Sequence, residues 1–476
     1  MGKRPERSWR RAVFNTGKLP WEELISGLGG RLIQGDLGLH ALGVSTDSRT
    51  LKPGQLFVAL KGLRFDGHDH LVEAFEKGAA GALVERPSAP KISREKVVIQ
   101  VADTLTALGD LARLWREKHS LPVVGISGSN GKTTTKEMTA VILEEMGPTL
   151  KNPGNFNNRI GLPLTLLTLN AGHAFAVLEM GMNRPGEIAE LCRIARPGIG
   201  VLTNVGPAHL EAFGTLEAVA RAKGELFDSL AEGDWAVVNA DDERILELAR
   251  TCKARQLTFG LSPQAQVRGE GVQRTEEGLR FFIASDWGRE EILLSLPGAH
   301  QVSNALGAAA TALLLGVPLD KIRTALARFS PPEHRQQIKK GRKGSRLIDD
   351  SYNANPASMA AALHVFSALR GGGRGGLILG DMLELGPQAA SAHEEIGRLV
   401  GELGVDYLLT LGPWSHLLAE TAAQGKRPPR SIVRAMDKET ILKATEKEIR
   451  EGDWILIKGS HGMGLDEIAR LLEERS

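Results

Sequence analysis

One stretch constrains this chain more than any other: Val123-Val124-Gly125-Ile126-Ser127-Gly128-Ser129-Asn130-Gly131-Lys132-Thr133-Thr134-Thr135. β-Branched residues lead into a glycine-spaced turn, and Met138, Val141, Ile142 and Met146 follow at helical spacing. Strand, tight loop and helix in that order bring backbone N–H groups and a helix N-terminus to one point, which suits a phosphate. The glycines let the backbone curl around the anion, Lys132 adds a cation for the outer phosphates, and Thr133 or Thr134 offers a hydroxyl to Mg²⁺. The usual pattern places a glycine five residues before Gly131, where Ile126 stands; Gly125 lies one place earlier. The spacing predicts a nucleoside-triphosphate site.

A loop of this kind needs a parallel α/β sheet around it, and the chain has ample length for one. Its 476 residues exceed what a single core holds, so several domains are expected. Lys and Arg (59) nearly balance Asp and Glu (57), so no global charge points to nucleic acid or a membrane surface. Cys192 and Cys252 stand in no metal-like spacing and suit a reducing compartment. No apolar run reaches a membrane span; Ala308 to Val317 comes nearest and reads as a buried helix. The basic residues Lys3 to Lys18 precede no apolar h-region, so residues 1–20 read as a solvated basic tail rather than a signal peptide. The expectation is a soluble, cytoplasmic protein, with a monomer as the default.

Three units follow the tail. Residues 21–119 open with a short helix at Trp21 and carry strands near Leu56–Leu60, Leu83 and Val97–Val101, then a helix over about 104–117. Residues 120–330 alternate strands with helices, with apolar runs at 174–178, 200–204 and 235–239, and end in an Ala- and Leu-rich helical piece, 301–329. Ser330-Pro331-Pro332 marks a linker, after which residues 331–476 repeat the α/β alternation with runs at 347–348, 376–379, 407–411 and 454–457. Ligands of open parallel sheets sit beyond the carboxyl ends of the strands. The polar residues just past those runs are therefore the candidates.

Glu179 ends a buried run, where a carboxylate is costly unless it is paired or binds a metal. His209 follows the next run, sharing the strand-end edge with Glu179 and the phosphate loop, which favours a metal or phosphate role. Lys223 lies in a helix capped by Thr215 and, on helix physics alone, reads as a surface lysine. The segment 152–163 holds Asn152, Asn155, Asn157 and Asn158, an ordered loop offering amides to a polar substrate. A second polar loop, Asp349 to Pro356, carries Tyr352, Asn353 and Asn355. In the first unit Asp47-Ser48-Arg49 gathers hydroxyl and guanidinium donors suited to a phosphate or a uracil edge, although a plain surface turn has the same composition.

Together these motifs resemble the Mur ligase family from about residue 21 onward. The carriers are Gly-Ser-Asn-Gly-Lys-Thr-Thr at 128–134, the Asn loop, Glu179, Ala-His-Leu-Glu at 208–211, Ala-Lys-Gly-Glu at 222–225, Asp350 to Pro356, and Gly380-Asp381-Met382-Leu383-Glu384-Leu385-Gly386. The resemblance implies a three-domain α/β fold: a central P-loop parallel sheet, a smaller N-terminal α/β domain and a Rossmann-like C-terminal domain. It implies an ATP- and Mg²⁺-dependent amide ligase joining D-alanyl-D-alanine to UDP-N-acetylmuramoyl-tripeptide, the alternative being another Mur-type or folylpolyglutamate-type ligase. By the same resemblance Gly128, Ser129, Asn130, Gly131, Lys132, Thr133 and Thr134 hold ATP, with Asn304 near adenine and Arg335 and Asp350 closing from the third unit. Thr133 and Glu179 would serve one Mg²⁺, and His209 a second with Lys223 as a carbamate. Lys132, Glu179, His209 and Lys223 form the implied catalytic set. Ser48 and Arg49 would hold the UDP end, with Asn155, Asn157, Asn158, Tyr352, Asn353 and Asn355 on the substrate. Gln301 stands where the family usually has Asn.

Overall fold

Glycine and proline punctuation divides the chain into three large sheets with helices on their faces and one two-stranded pair, and the computed structural model describes residues 19–38, 40–63, 65–86 and 93–474. The expected basic tail lies outside the described residues up to position 18. Its last two residues, Leu19–Pro20, instead pair antiparallel with His40–Ala41, and Leu19 is buried. The N-terminal sheet has five strands in the order Arg31–Gln34, Val97–Gln100, Gly81–Val84, Leu56–Val58, Val44–Ser45, with only the first pair antiparallel.

The central sheet has nine strands. From one edge they run Thr149–Lys151, Phe175–Glu179, Val123–Ser127, Ile199–Leu202, Trp235–Asn239, Arg255–Gly260 and Val267–Thr275, all parallel. Gly278–Ser285 and Gly288–Leu294 then continue the sheet antiparallel, so it is mostly rather than wholly parallel. The cause is local: Gly278 (φ +138°) and Gly288 (φ +124°) make turns too short for a parallel crossover. Along Gly278–Ser285 only alternate residues such as Leu279, Phe281 and Ile283 are buried, under the helix His300–Leu314.

The C-terminal sheet has six strands, ordered Gln337–Lys340, Arg346–Asp349, Trp454–Lys458, Gly375–Gly380, Tyr407–Leu411, Ser431–Ala435, parallel except at the first pair. Its helices Ala389–Leu403 and Pro413–Ala423 meet almost backbone to backbone. A Cβ on Gly397 would stand 2.6 Å from the Leu418 carbonyl oxygen, and one on Gly425 2.4 Å from that of Gly401.

Asp103 starts the helix Thr104–Glu117 by accepting from Thr106 N. That helix packs on the central domain: Trp115 Nε1 donates to Leu169 O at 3.0 Å, and Gly109 leaves room for Ile194. One apolar cluster therefore spans the first two domains, while the C-terminal sheet has clusters of its own on either face.

Candidate active site

The phosphate loop follows the strand Val123–Ser127, third from one edge of the central sheet. Gly128 (φ +146°) and Gly131 (φ +79°) are left-handed, and neither has room for a side chain: a Cβ would lie 1.9 Å from Thr203 Oγ1 and 2.2 Å from Asn304 Oδ1 respectively. Gly125 is part of the strand rather than the turn, and a Cβ there would stand 3.1 Å from Met180 and 3.2 Å from Leu226. Neighbouring strands hold the loop in shape. Ser129 Oγ donates to Gly206 O and accepts from Gly206 N, both at 2.9 Å. Asn130 N donates to Asn204 Oδ1 at 2.9 Å, and Asn130 O accepts from Thr203 Oγ1 at 2.6 Å. Gly131 then caps the helix Lys132–Leu143, which starts at the anion-attracting end of its dipole.

Two amines converge on one carbonyl of this loop. Lys132 Nζ donates to Gly128 O at 2.8 Å and Lys223 Nζ donates to the same oxygen at 2.9 Å. Lys223 is no surface lysine: the helix Leu216–Asp228 turns it inward until it is 2% exposed. Burial, with the neighbouring Lys132 charge, pushes its pKa well below the ordinary lysine value. The Lys132 pKa is also lowered by burial, with Glu179 pulling the other way.

Glu179 ends its strand at 2% exposure. Oε2 accepts from Thr133 Oγ1 at 2.7 Å and Oε1 from Asn157 Nδ2 at 2.8 Å. Burial raises its pKa, but the charges of Lys132, Lys136 and Arg335 outweigh that and leave it lowered. Asn152 fixes the Glu179 backbone through both its amide atoms, and buried Lys136 donates to Asn152 O at 2.7 Å. Sequence reasoning gave neither residue this role; a lysine one turn into the helix after a phosphate loop is the signal that could have flagged Lys136. Of the remaining asparagines, Asn158 Oδ1 accepts from Ile160 N and Gly161 N to start a short helix, while Asn155 is exposed.

The C-terminal domain supplies the facing wall. Asn355 caps the helix Pro356–Arg370 through its Oδ1 and with Nδ2 donates to Asn130 Oδ1 at 2.7 Å, tying that wall to the phosphate loop. Arg335 lies over the Tyr352 ring at 4.1 Å, close enough for its charge to reach Lys132 and Glu179. His334 (φ +62°) and Gln336 (φ +54°) flank it, and His334 Nδ1 meets buried Asp349 at 2.8 Å. Asp350 accepts from Lys458 Nζ at 2.6 Å; Lys458, which also donates to Asn353 O, is a site residue the sequence reading passed over. Asn304 is held by Gln301, which in turn donates to Gln336 across the linker. His209 Nδ1 pairs with Glu384 Oε2 at 2.6 Å.

Ser48 and Arg49 make their bonds inside the N-terminal domain. Ser48 Oγ donates to Glu73 at 2.8 Å, and Arg49 holds Asp47 with two N–H groups at 2.9 and 2.7 Å. Among the described residues no group of three or more His, Cys, Asp or Glu side chains gathers as a metal cage. The Thr133 hydroxyl and Glu179 carboxylate nonetheless make a hard-oxygen pair of the kind Mg²⁺ takes when phosphate oxygens complete its shell.

Comparison with known proteins agrees with this architecture. Family patterns match in three consecutive blocks: the Mur ligase family catalytic domain over residues 40–116, the Mur ligase middle domain over 126–312, and the Mur ligase glutamate ligase domain over 334–461. A UDP-N-acetylmuramoyl-tripeptide–D-alanyl-D-alanine ligase of Escherichia coli strain K12 is 38% identical over 457 residues, covering 95% of this chain and 98% of the relative. The chain belongs to the Mur ligase family. Among solved structures, MurF from Acinetobacter baumannii superposes with a TM-score of 0.87 at 31% identity, covering 97% of this Mur ligase and all of that chain. MurF ligase from Thermotoga maritima in complex with ADP gives 0.79 at 30% identity, over 90% of this Mur ligase and 96% of that chain. The three-domain fold expected from the motifs is the fold of this Mur ligase.

Proposed function

We propose that this Mur ligase joins D-alanyl-D-alanine to UDP-N-acetylmuramoyl-tripeptide at the expense of ATP, in the making of peptidoglycan precursors. The observation that carries the reading is full-length likeness to ligases of that name, at 38% identity from two bacterial sources. The chemistry requires activation, because a carboxylate is a poor electrophile. A terminal carboxylate oxygen of the tripeptide takes the γ-phosphoryl group and ADP leaves; the dipeptide amine then attacks the acyl carbon, loses its proton, and phosphate leaves.

Each candidate residue has a place in this proposal. The loop 128–134 and Lys132 cradle the phosphates and stabilise charge on the moving phosphoryl group. Thr133 and Glu179 would hold Mg²⁺, which when bound neutralises phosphate charge. Lys223, its pKa lowered by burial, is shifted toward the neutral amine that carbamylation needs, and with His209 would serve a second Mg²⁺. Asn304 faces adenine, and Arg335 and Asp350 come onto the nucleotide as the C-terminal domain docks, excluding water from the acyl phosphate. Ser48 and Arg49 take the UDP end, Arg49 by exchanging Asp47 for phosphate. Asn155, Asn157, Asn158, Tyr352, Asn353 and Asn355 line the path to the peptide. No helix among the described residues is long and apolar enough to cross a membrane, and a monomer in the cytoplasm is the proposed working form.

The test is phosphate release by purified protein given ATP, Mg²⁺, UDP-muramoyl tripeptide and D-alanyl-D-alanine. Release is expected only when all are present, and release that ignores the dipeptide would overturn the ligase reading.

A further inference from the structure

The segment Gly380–Gly386 is the one motif that the proposed reaction leaves unused. It leaves the C-terminal end of the strand Gly375–Gly380 and crosses to the central domain, where Glu384 Oε2 lies 2.6 Å from His209 Nδ1. Backbone contacts accompany the side-chain pair: Glu211 N donates to Glu384 O at 3.1 Å, and Gly386 lies so flat that a Cβ would stand 3.2 Å from Glu211 Cα. Both members of the pair are left-handed non-glycine residues, His209 at φ +56° and Glu384 at φ +63°. Such conformations persist only where surrounding structure over-determines them.

The presenting loop is built for the purpose. Asp381 Oδ1 accepts from Ser415 N at 2.6 Å and from its hydroxyl at 2.7 Å. Met382 N donates to His393 Nε2 at 3.0 Å, and Leu383 N to Ser460 Oγ at 2.8 Å. On the receiving side, His209 lies three residues beyond Gly206, whose backbone is clasped by Ser129 of the phosphate loop. With Nδ1 taken by the carboxylate, Nε2 is the ring nitrogen left to take a ligand.

We propose that Glu384 is a positioning residue which orients the His209 ring from the opposite domain, so that His209 takes its working orientation only when the C-terminal domain is docked. The inference rests on the ligase reading for its kinetic arm alone. Closure and site assembly are then one event: an open enzyme holds ATP on the loop but lacks an oriented His209 and does not spend the nucleotide.

Three variants test this. Glu384→Ala should lower kcat about 10- to 100-fold, the usual loss when a carboxylate behind a histidine is removed, while the KM for ATP stays within about twofold of the unmodified enzyme. Glu384→Gln should recover most of that rate, because its amide oxygen still accepts from Nδ1–H. His209→Ala and His209→Ala/Glu384→Ala should match within about twofold, since one residue acts through the other. Hydrogen exchange on nucleotide-free protein supplies a readout apart from turnover: amides of 209–214 should exchange faster in Glu384→Ala and as in the unmodified enzyme in Glu384→Gln. Unchanged kcat and unchanged exchange in Glu384→Ala, or losses that multiply in the double variant, would overturn the proposal. Failure of the unmodified enzyme to ligate would strike the ligase reading instead and leave the exchange arm to decide the contact.

Discussion

The phosphate loop and the Asp47–Arg49 turn are both strand-end loops proposed to meet phosphate, yet they are built on opposite plans. In the first, Ser129, Asn130 and Thr133 bond to neighbouring elements, Lys132 and the helix residue Lys223 both donate to the loop carbonyl of Gly128, and two glycines leave no spare volume. In the second, Ser48 is anchored to Glu73, but Arg49 has a side chain 78% exposed and among the described residues it holds its neighbour Asp47, a surface pair worth little to stability. A loop around a reacting phosphoryl group gains from being fixed before the ligand arrives, since nothing then has to reorganise as charge moves. A handle for the inert end of a substrate needs only to bind, so it can trade one partner for another.

The contrast can be broken by substitution. Lys132→Ala should lower ligation by roughly 10²–10³-fold or more while circular dichroism and melting stay near those of the unmodified protein; retained ligation would remove the loop from the mechanism. Gly128→Ala, whose Cβ meets Thr203 at a left-handed position, should cost about 1–3 kcal/mol of stability through overpacking and strain and weaken ATP binding in a calorimetric titration. Arg49→Ala should raise the KM for the UDP substrate about tenfold, the value of one charge-assisted contact, with kcat and melting temperature unchanged. If Arg49→Ala lowered kcat as Lys132→Ala does, the two plans would not be distinct.

The smallest effect belongs to the segment just past the linker. His334 has its pKa raised above the ordinary 6.5, chiefly by its hydrogen bond to Asp349. Its stabilising contribution is complete below the unfolded-state value and is lost as pH rises through the raised folded-state value. Melting temperature should therefore fall slightly more from pH 6 upward in the unmodified enzyme than in His334→Gln, by less than ~1 kcal/mol equivalent.

The elements legible in the sequence were those with apolar runs or caps. Trp235–Asn239, Tyr407–Leu411 and the Asp103-capped helix Thr104–Glu117 stand where their patterns put them. Strands that face solvent on one side were hidden, because Arg268, Glu270, Arg289 and Glu290 interrupt the hydrophobic signal, and the polar edge strands Gln337–Lys340 and Ser431–Ala435 were hidden for the same reason. In the site, Glu179 and the loop residues were legible because strand-end chemistry predicts them. Lys223 reads as exposed from its helix pattern alone, since helical periodicity does not tell which face lies against the phosphate loop. Asn152, Lys136 and Lys458 act by holding other residues, and a linear pattern does not report second partners.

The glycine contacts between the helices Ala389–Leu403 and Pro413–Ala423 have a mechanical consequence. His393 rides on the first helix and Ser415 on the second, and both pin the loop that carries Glu384. With Gly397, Gly401 and Gly425 closing the gap to backbone contact, the pair behaves as a stiff beam with no slack between its members. Any swing of the C-terminal domain is delivered undamped to the tip of that beam, and the tip rests on His209.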